Sequence, residues 1–191
     1  MISAMGRWDP GARTRLTQAA IKLYSERGFD ETTVAEIARE AGLTERTFFR
    51  HFADKREVLF SGAAQLQELM VGAVRNAPAD APPMDAVAVG VEAAATVLQD
   101  RNYSRMRQAL IARNPILQER ELIKMASLAA AFADALRQRG VREPAASVTA
   151  EAGIAVFRIS FERWVLSADQ RDFLGLILET FEELKLSVSR R

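Results

Sequence analysis

Apolar side chains recur three and four residues apart through most of the chain, a spacing that places them on one face of an α-helix. The first such stripe runs from Leu16 to Tyr24 after Asp9-Pro10, a typical helix start, and the last follows Asp169. No segment alternates apolar and polar residues for long enough to predict a strand. The pattern therefore predicts an all-α fold of about nine helices.

The segment from Thr32 to Phe60 is unusual because its predicted helices are very short. Thr33 and Glu36 form the T-x-x-E pattern of a capping box, in which a hydroxyl and a carboxylate each bind a free amide at a helix start. An apolar face follows, made of Val34, Ile37, Ala38 and Ala41. Gly42 then predicts a sharp turn, because glycine adopts the left-handed conformation that ends many helices.

A second short helix is predicted directly after this turn, with Thr44 as its N-terminal cap. Phe48 and Phe52 lie four residues apart and share one face, which indicates burial. The opposite face carries cationic and hydroxyl side chains, namely Arg46, Thr47 and Arg50. Two short helices joined by a glycine turn are typical of a helix-turn-helix that enters the DNA major groove.

This segment resembles the DNA-binding motif of the tetracycline-repressor (TetR) family of transcriptional regulators. The likeness is carried by Thr32-Thr33, Ile37-Ala38, Ala41-Gly42, Thr44, Thr47-Phe48-Phe49, His51-Phe52, Lys55 and Leu59. The resemblance implies an N-terminal three-helix bundle that binds a double-stranded DNA operator. It also implies a C-terminal helical domain that binds a small-molecule effector and forms a homodimer.

The resemblance further implies which side chains meet DNA. The DNA surface is expected to contain Thr44, Arg46, Thr47, Phe49 and Arg50, with His51 and Lys55 beside the phosphates and with Thr33 and Glu45 completing the set. Phe49 stands where relatives commonly carry a tyrosine whose hydroxyl meets a phosphate, so its expected role is packing against a sugar or a thymine methyl. Arg46 is expected either to read guanine through O6 and N7 or to hold a phosphate.

The predicted domain boundary lies between Asp54 and Lys55, with the helix-turn-helix domain in residues 1–54 and the effector-binding and dimerisation domain in residues 55–191. Asp54 and Glu57 repeat the capping pattern and predict one long helix from about Lys55 to Asn76. The proline-rich segment from Asn76 to Pro83 is predicted to be a loop inside the second domain.

The last two helices are predicted to form the dimer interface. From Ala152 to Phe161 almost every residue is apolar, so this helix needs cover on two faces, which a partner subunit supplies most simply. The residues assigned to the interface are Val156, Ile159, Phe173, Leu174, Ile177, Leu178 and Phe181. Two such helices and their symmetry mates would form a four-helix interface about a two-fold axis.

An effector pocket is implied by the resemblance and by the size of the second domain. The bulky side chains that are candidates to line it are Tyr103, Met106, Phe132, Phe157, Phe161 and Trp164. Aromatic and methionine side chains at helical spacing also serve as ordinary core, so both interpretations stay open for each of them.

Composition narrows the possible chemistry. The chain has no cysteine and one histidine, His51, which excludes disulfides, thiolate chemistry and histidine metal clusters. No catalytic residue, metal or cofactor is expected, and the absence of a membrane-spanning run or a signal peptide predicts a cytoplasmic protein. The net charge of +1 gives no general affinity for nucleic acid, so DNA binding must depend on the local arrangement of Arg46, Arg50, Lys55 and Arg56.

The favoured function is a ligand-responsive transcriptional regulator, a repressor that a small molecule releases from a palindromic operator. The alternative is an architectural DNA-binding protein without an effector, which predicts a filled core in the second domain. An all-helical enzyme is a third class, disfavoured because the chain has no cysteine, a single histidine and no glycine-rich phosphate loop.

Overall fold

The computed structural model describes residues 11–168 and 171–189, and within these residues the chain forms nine α-helices and no β-strand. The all-α fold predicted from the apolar spacing is therefore confirmed. The helix starts predicted at Asp9-Pro10 and Asp169 lie outside the described residues. The chain divides into two compact units, Met1–Ser61 and Gly62–Arg191.

The first unit contains three helices, α1 (Ala12–Arg27), α2 (Val34–Glu40) and α3 (Glu45–His51). Helix α1 buries one continuous apolar face, α2 buries Ile37 and Ala38, and α3 buries Phe48. Because α2 and α3 are only seven residues each, neither would be stable as an isolated helix. Their stability must come from the core that they share with α1.

The segment after α3 differs from the sequence prediction. Residues 53–62 form a series of turns, and the next helix begins only at Ala63, so the prediction of a continuous helix from about Lys55 is wrong in its first two turns. Gly62 adopts a left-handed φ of +93°, which interrupts the helix. The turns serve packing, because they bury Val58 and Leu59 in the first unit.

The same turns explain where the first unit ends. The compact units divide after Ser61, whereas the sequence analysis placed the boundary after Asp54. The Nζ atom of Lys55 donates hydrogen bonds to the carbonyl oxygens of Phe29 (2.8 Å), Asp30 (3.1 Å) and Thr32 (3.0 Å). The Tyr24 hydroxyl in turn donates to the carbonyl oxygen of Lys55 at 2.7 Å. These bonds hold the segment after α3 against α1 and the α1–α2 loop.

The second unit contains six helices in its described residues. They are α4 (Ala63–Asn76), α5 (Pro83–Ala93), α6 (Arg101–Arg113), α7 (Pro115–Gln138), α8 (Ala145–Leu166) and α9 (Phe173–Ser189), with a short 3₁₀ turn at Ala94–Thr96. Helices α4, α5, α7, α8 and α9 contribute to one hydrophobic core. None of the described helices is both long and apolar enough to cross a membrane.

Helix α5 packs very closely against its neighbours. A methyl group at Gly153 on α8 would overlap the Val87 side chain on α5, and one at Gly90 on α5 would overlap Val74 on α4. Both glycines are needed because any side chain would force these helices apart. The core of the second unit is therefore built on close helix contacts around α5.

Replacing Lys55 with methionine tests its structural role. Lys55→Met removes three hydrogen bonds from a charged donor and should lower the free energy of unfolding of the first unit by about 2 kcal/mol. Native-state hydrogen exchange of the amides in residues 12–51 measures this loss for the first unit alone.

The matched control is Lys22→Met. Lys22 forms an exposed ion pair with Glu40 at 2.6 Å, so its removal should leave the same quantity almost unchanged. Equal, small effects of the two substitutions would show that the Lys55 bonds do not support the unit.

Candidate nucleic-acid interface

The start of α2 is fixed by a complete capping box, as the sequence predicts. The Thr33 Oγ1 accepts a hydrogen bond from the Glu36 amide at 3.2 Å, and the Glu36 carboxylate accepts one from the Thr33 amide at 2.9 Å. The same carboxylate pairs with Arg27 on α1 at 3.0 Å. Hydrogen bonds from Thr33 are the main cause that lowers the pKa of Glu36, so the carboxylate is charged at neutral pH.

The turn between α2 and α3 has the geometry of a glycine-terminated helix end. Gly42 has a φ of +66°, in the left-handed region that glycine adopts without a Cβ clash. The Leu43 amide donates to the Ala38 carbonyl at 2.8 Å, and the Gly42 amide donates to the Arg39 carbonyl at 3.0 Å. These two bonds satisfy two of the last carbonyls of α2 and set the direction in which α3 leaves.

Helix α3 buries one face and exposes the other. Thr44 caps its N-terminus by accepting a hydrogen bond from the Thr47 amide at 3.2 Å. Phe48 and Phe52 are buried in the core of the first unit, with their ring centroids 5.5 Å apart. The side chains exposed on the opposite face are Glu45, Arg46, Phe49 and Arg50. The structure thus confirms the predicted division of this helix into a buried and an outward face.

Cations on this outward face are available to a ligand. Within the described part of the chain, the guanidinium groups of Arg46 and Arg50 form no hydrogen bond or ion pair. Lys22, Arg27 and Arg56, by contrast, are each paired with a carboxylate of the first unit. Among the described residues, the outward face of α3 therefore carries two guanidinium groups without an ion-pair partner, and such groups attract phosphate.

The other residues predicted to meet DNA have additional partners inside the first unit. The Thr33 and Thr44 hydroxyls cap helices, and the Thr47 Oγ1 lies 3.1 Å from that of Thr44. His51 is half-buried at the C-terminal end of α3, with its ring centroid 6.5 Å from that of Phe52. These residues shape the motif whether or not they also touch DNA.

Lys55 and Arg56 do not extend the exposed cationic patch expected from the sequence. The Lys55 ammonium is directed towards three carbonyl oxygens and lies 4.5 Å from the centre of the Phe29 ring, so its donors are used within the chain. Arg56 donates to the Asp54 carboxylate, and this hydrogen bond is the main cause that lowers the pKa of Asp54. Both side chains stabilise the turns after α3, a role that differs from the phosphate contact expected of Lys55.

The residues predicted for the dimer interface separate into two groups. Val156, Phe173, Ile177 and Phe181 are buried in the core of the second unit, because α8 and α9 pack against each other within one chain. Ile159, Leu174 and Leu178 are exposed. The prediction that all seven form a subunit interface is therefore wrong for the four buried residues, among which Ile177 is 0% exposed.

The sequence analysis also missed four exposed apolar residues on these helices, namely Val148, Leu166, Leu186 and Val188. Leu166, at the C-terminal end of α8, is 70% exposed. It lies seven residues after Ile159, a spacing of two helical turns that could have revealed it.

The six residues predicted to line an effector pocket lie in different environments. Phe157, Phe161 and Trp164 pack together in an aromatic cluster with Phe173, whose ring centroid lies 5.1 Å from that of Trp164. Phe132 is fully buried in the core of the second unit, and Met106 is exposed. Tyr103 is half-buried, and its burial raises the pKa of the phenol.

A surface depression of the second unit lies elsewhere and is mostly polar. It is lined by Gln99, Asp100, Arg101, Asn102, Arg105, Ser167 and Ala168, none of which was predicted to bind an effector. Two of these arginines donate to backbone carbonyls at the end of α8, with Arg105 Nε 2.8 Å from the Val165 oxygen. These bonds fasten α6 to the end of α8.

Two known protein families match the chain, one in each unit. Residues 16–61, which contain the helix-turn-helix, match the family described as bacterial regulatory proteins, tetR family. Residues 81–188 match the family described as the MftR C-terminal domain. The second match covers more than half of the chain.

Curated relatives are similar over a part of their length. The HTH-type transcriptional regulator TcmR of Streptomyces glaucescens is 36% identical over 75 residues, 39% of this chain and 33% of TcmR. The regulator MftR of Mycobacterium tuberculosis is 35% identical over 72 residues, 36% of each protein. The matched segment thus spans about a third of the length of these relatives.

The crystal structure of the transcriptional regulator FadR from Bacillus subtilis, in complex with stearoyl-CoA, has the same fold. Its TM-score is 0.64 at 19% identity, and the match covers 90% of this chain and 96% of FadR. The helix-turn-helix geometry and the two family matches lead to the same conclusion. The chain belongs to the tetR family of bacterial regulatory proteins and has an MftR-type C-terminal domain.

Proposed function

We propose that this regulator is a homodimeric repressor that binds a palindromic DNA operator through α3 and is released from it by a small molecule. The observation that supports the proposal most directly is the outward face of α3, where Arg46 and Arg50 are exposed and have no carboxylate partner within the described residues. A helix of this size fits the major groove, where base edges are distinguishable.

Affinity and specificity have different sources in this arrangement. Arginine at a phosphate adds affinity for every sequence and strengthens the salt dependence. Arginine that binds O6 and N7 of guanine adds preference for one base pair. Arg46 lies in the first turn of α3, near the helix end that typically approaches the base edges, while Arg50 lies one turn later.

Alanine substitution of Arg46 separates these two roles. If Arg46 reads guanine, Arg46→Ala should flatten the preference at one position of each half-site, with a loss of about five- to a hundred-fold there. If it holds a phosphate, binding should weaken equally on all sequences, and the slope of log K against log salt should fall by about 0.9 for each phosphate that the protein no longer neutralises. Selection from a random DNA pool, followed by salt titration of the bound sequences, measures both quantities.

Lys22→Ala is the matched control, because this cation is already paired with Glu40 and should leave both quantities unchanged. The proposal is contradicted if the unmodified protein binds DNA with a steep salt dependence but no sequence preference. It is equally contradicted if Arg46→Ala and Arg50→Ala both bind the selected operator as tightly as the unmodified protein.

The exposed apolar residues of α8 and α9 support a dimer. Ile159 and Leu166 on α8 and Leu174 and Leu178 on α9 expose leucine and isoleucine side chains to water. The two helices are joined by an ion pair from Arg163 to Glu179 at 2.7 Å, so they form one packed pair that can face a symmetry mate. Two such pairs form a four-helix interface. In this dimer the two α3 helices bind half-sites that are separated by one or more helical turns of DNA, and each turn is about 34–36 Å long.

A charged side chain in place of one of these exposed apolar residues tests this interface. Leu178 is 46% exposed, so Leu178→Asp should leave the chain folded and convert the dimer to a monomer. Because a monomer engages one half-site at a time, operator affinity should fall by about a hundred-fold or more. Sedimentation velocity measures the mass, and fluorescence anisotropy measures the affinity.

Leu122→Asp provides the control on another helix. Leu122 lies on α7 and is 64% exposed, so the same substitution there should preserve both the dimer and operator binding. A Leu178→Asp protein that stays dimeric and binds a full palindrome with undiminished affinity would rule out this interface.

The proposed response to a small molecule requires that the second unit binds an effector. FadR from Bacillus subtilis, which shares the fold, carries stearoyl-CoA, so acyl-CoA thioesters are the first probes to use. An effector acts only through its different affinity for the DNA-binding and released states, and this coupling is reciprocal. An effector must therefore both stabilise the protein and lower its affinity for the operator.

A thermal-shift series with acyl-CoA thioesters of increasing chain length, together with free coenzyme A and free fatty acids, tests the response. At 100 times its Kd a ligand adds about 2.7 kcal/mol of stability, which raises the Tm by several degrees. The same ligand should reduce operator affinity in anisotropy measurements. If no ligand raises the Tm or changes operator affinity, the architectural alternative with a filled core is favoured instead.

A further inference from the structure

Phe49 is exceptional among the large apolar residues of the first unit. Its side chain is 56% exposed, and within residues 11–61 it is the one large apolar side chain that the structure leaves exposed. Phe48 and Phe52 on the same short helix are buried in the core. An exposed phenyl ring lacks the favourable free energy of burial, so its position on α3 indicates a site where a partner covers it.

The ring is held in place on the outward face. It makes an edge-to-face contact with the buried Phe48 ring, with the two centroids 5.4 Å apart. Arg46 lies one turn before it and Arg50 directly after it, and both are exposed. The phenyl ring therefore lies beside two exposed guanidinium groups, a combination that suits a surface with an anionic backbone and an apolar group within reach.

The major groove of DNA offers such a surface. Its base edges present hydrogen-bond donors and acceptors, and the apolar group among them is the C5 methyl of thymine. Phenylalanine has no hydroxyl and so cannot bond a phosphate or a base edge. We propose that Phe49 is a specificity-determining residue that selects thymine at one position of each half-site by covering its methyl group.

This inference rests on the proposed function, because it requires that α3 enters the groove of a specific operator. It adds to that function the chemical group that is recognised. Recognition at this position depends on the methyl group alone, so uracil should be rejected although it pairs like thymine. A cytosine that carries a 5-methyl group should be preferred over plain cytosine at the same position.

The test starts from an operator selected from a random DNA pool with the full-length protein. Each thymine is then replaced singly by deoxyuridine, and Kd is measured by fluorescence anisotropy at one salt concentration. At one thymine of each half-site the replacement should weaken binding about four-fold, the effect of uncovering one methyl group. Replacing both symmetry-related thymines should weaken binding about sixteen-fold, since distant sites are additive.

Variants at residue 49 assign the effect to the ring. In Phe49→Ala the same deoxyuridine replacement should have no effect, whereas Phe49→Tyr keeps the ring and should keep the four-fold loss. A second pair of operators, with cytosine or 5-methylcytosine at this position, should differ about four-fold for the unmodified protein and not at all for Phe49→Ala. The deoxyuridine series with the unmodified protein needs no variant to fold.

Three outcomes overturn the inference. The first is that every thymine tolerates deoxyuridine, and the second is that the deoxyuridine effect persists in Phe49→Ala. The third is that Phe49→Ala weakens all sequences equally, which would mark a contact with sugar. If instead the random pool yields no preferred sequence, the proposed function itself fails before residue 49 is tested, so the two failures are distinguishable.

Discussion

Burial of two phenyl rings, those of Phe48 and Phe52, is the interaction on which the rest of the first unit depends. Helix α3 has only seven residues and would not persist alone in water. Each buried ring contributes about 1.5–3 kcal/mol from the hydrophobic effect, and the rings fix the rotation of the helix about its axis. Because Phe48 and Phe52 point inward, Arg46, Phe49 and Arg50 must point outward.

The rest of the first unit determines the direction of that helix, and its described residues leave Arg46 and Arg50 without an ion pair. The capping box at Thr33 starts α2, the left-handed Gly42 follows its end, and Thr44 caps the start of α3. Lys55 holds the segment after α3 against the α1–α2 loop by donating hydrogen bonds to three carbonyl oxygens. Several other cations of the unit are paired within it, so a chain whose net charge is +1 still offers a local cationic surface.

Local signals predicted the helix-turn-helix well and the second unit less well. Caps, the turn glycine and the two buried rings depend on residues three or four apart, so one sequence is enough to find them. Ile177 and Leu178 are neighbours of similar character, yet one is fully buried and the other is 46% exposed. Only the packing of α8 on α9 decides between them. The hydrogen bonds of Lys55 could not be predicted for the same reason, because its carbonyl partners lie more than twenty residues earlier.

The central claim is that the outward face of α3 enters the major groove, and groove-specific chemical footprinting tests it most directly. Dimethyl sulfate methylates N7 of guanine in the major groove and N3 of adenine in the minor groove. With the dimer bound to its selected operator, guanine N7 should be protected in two patches on one side of the duplex, while adenine N3 in the same patches stays reactive. Protection confined to adenine N3, or no protection at the selected site, would contradict the account.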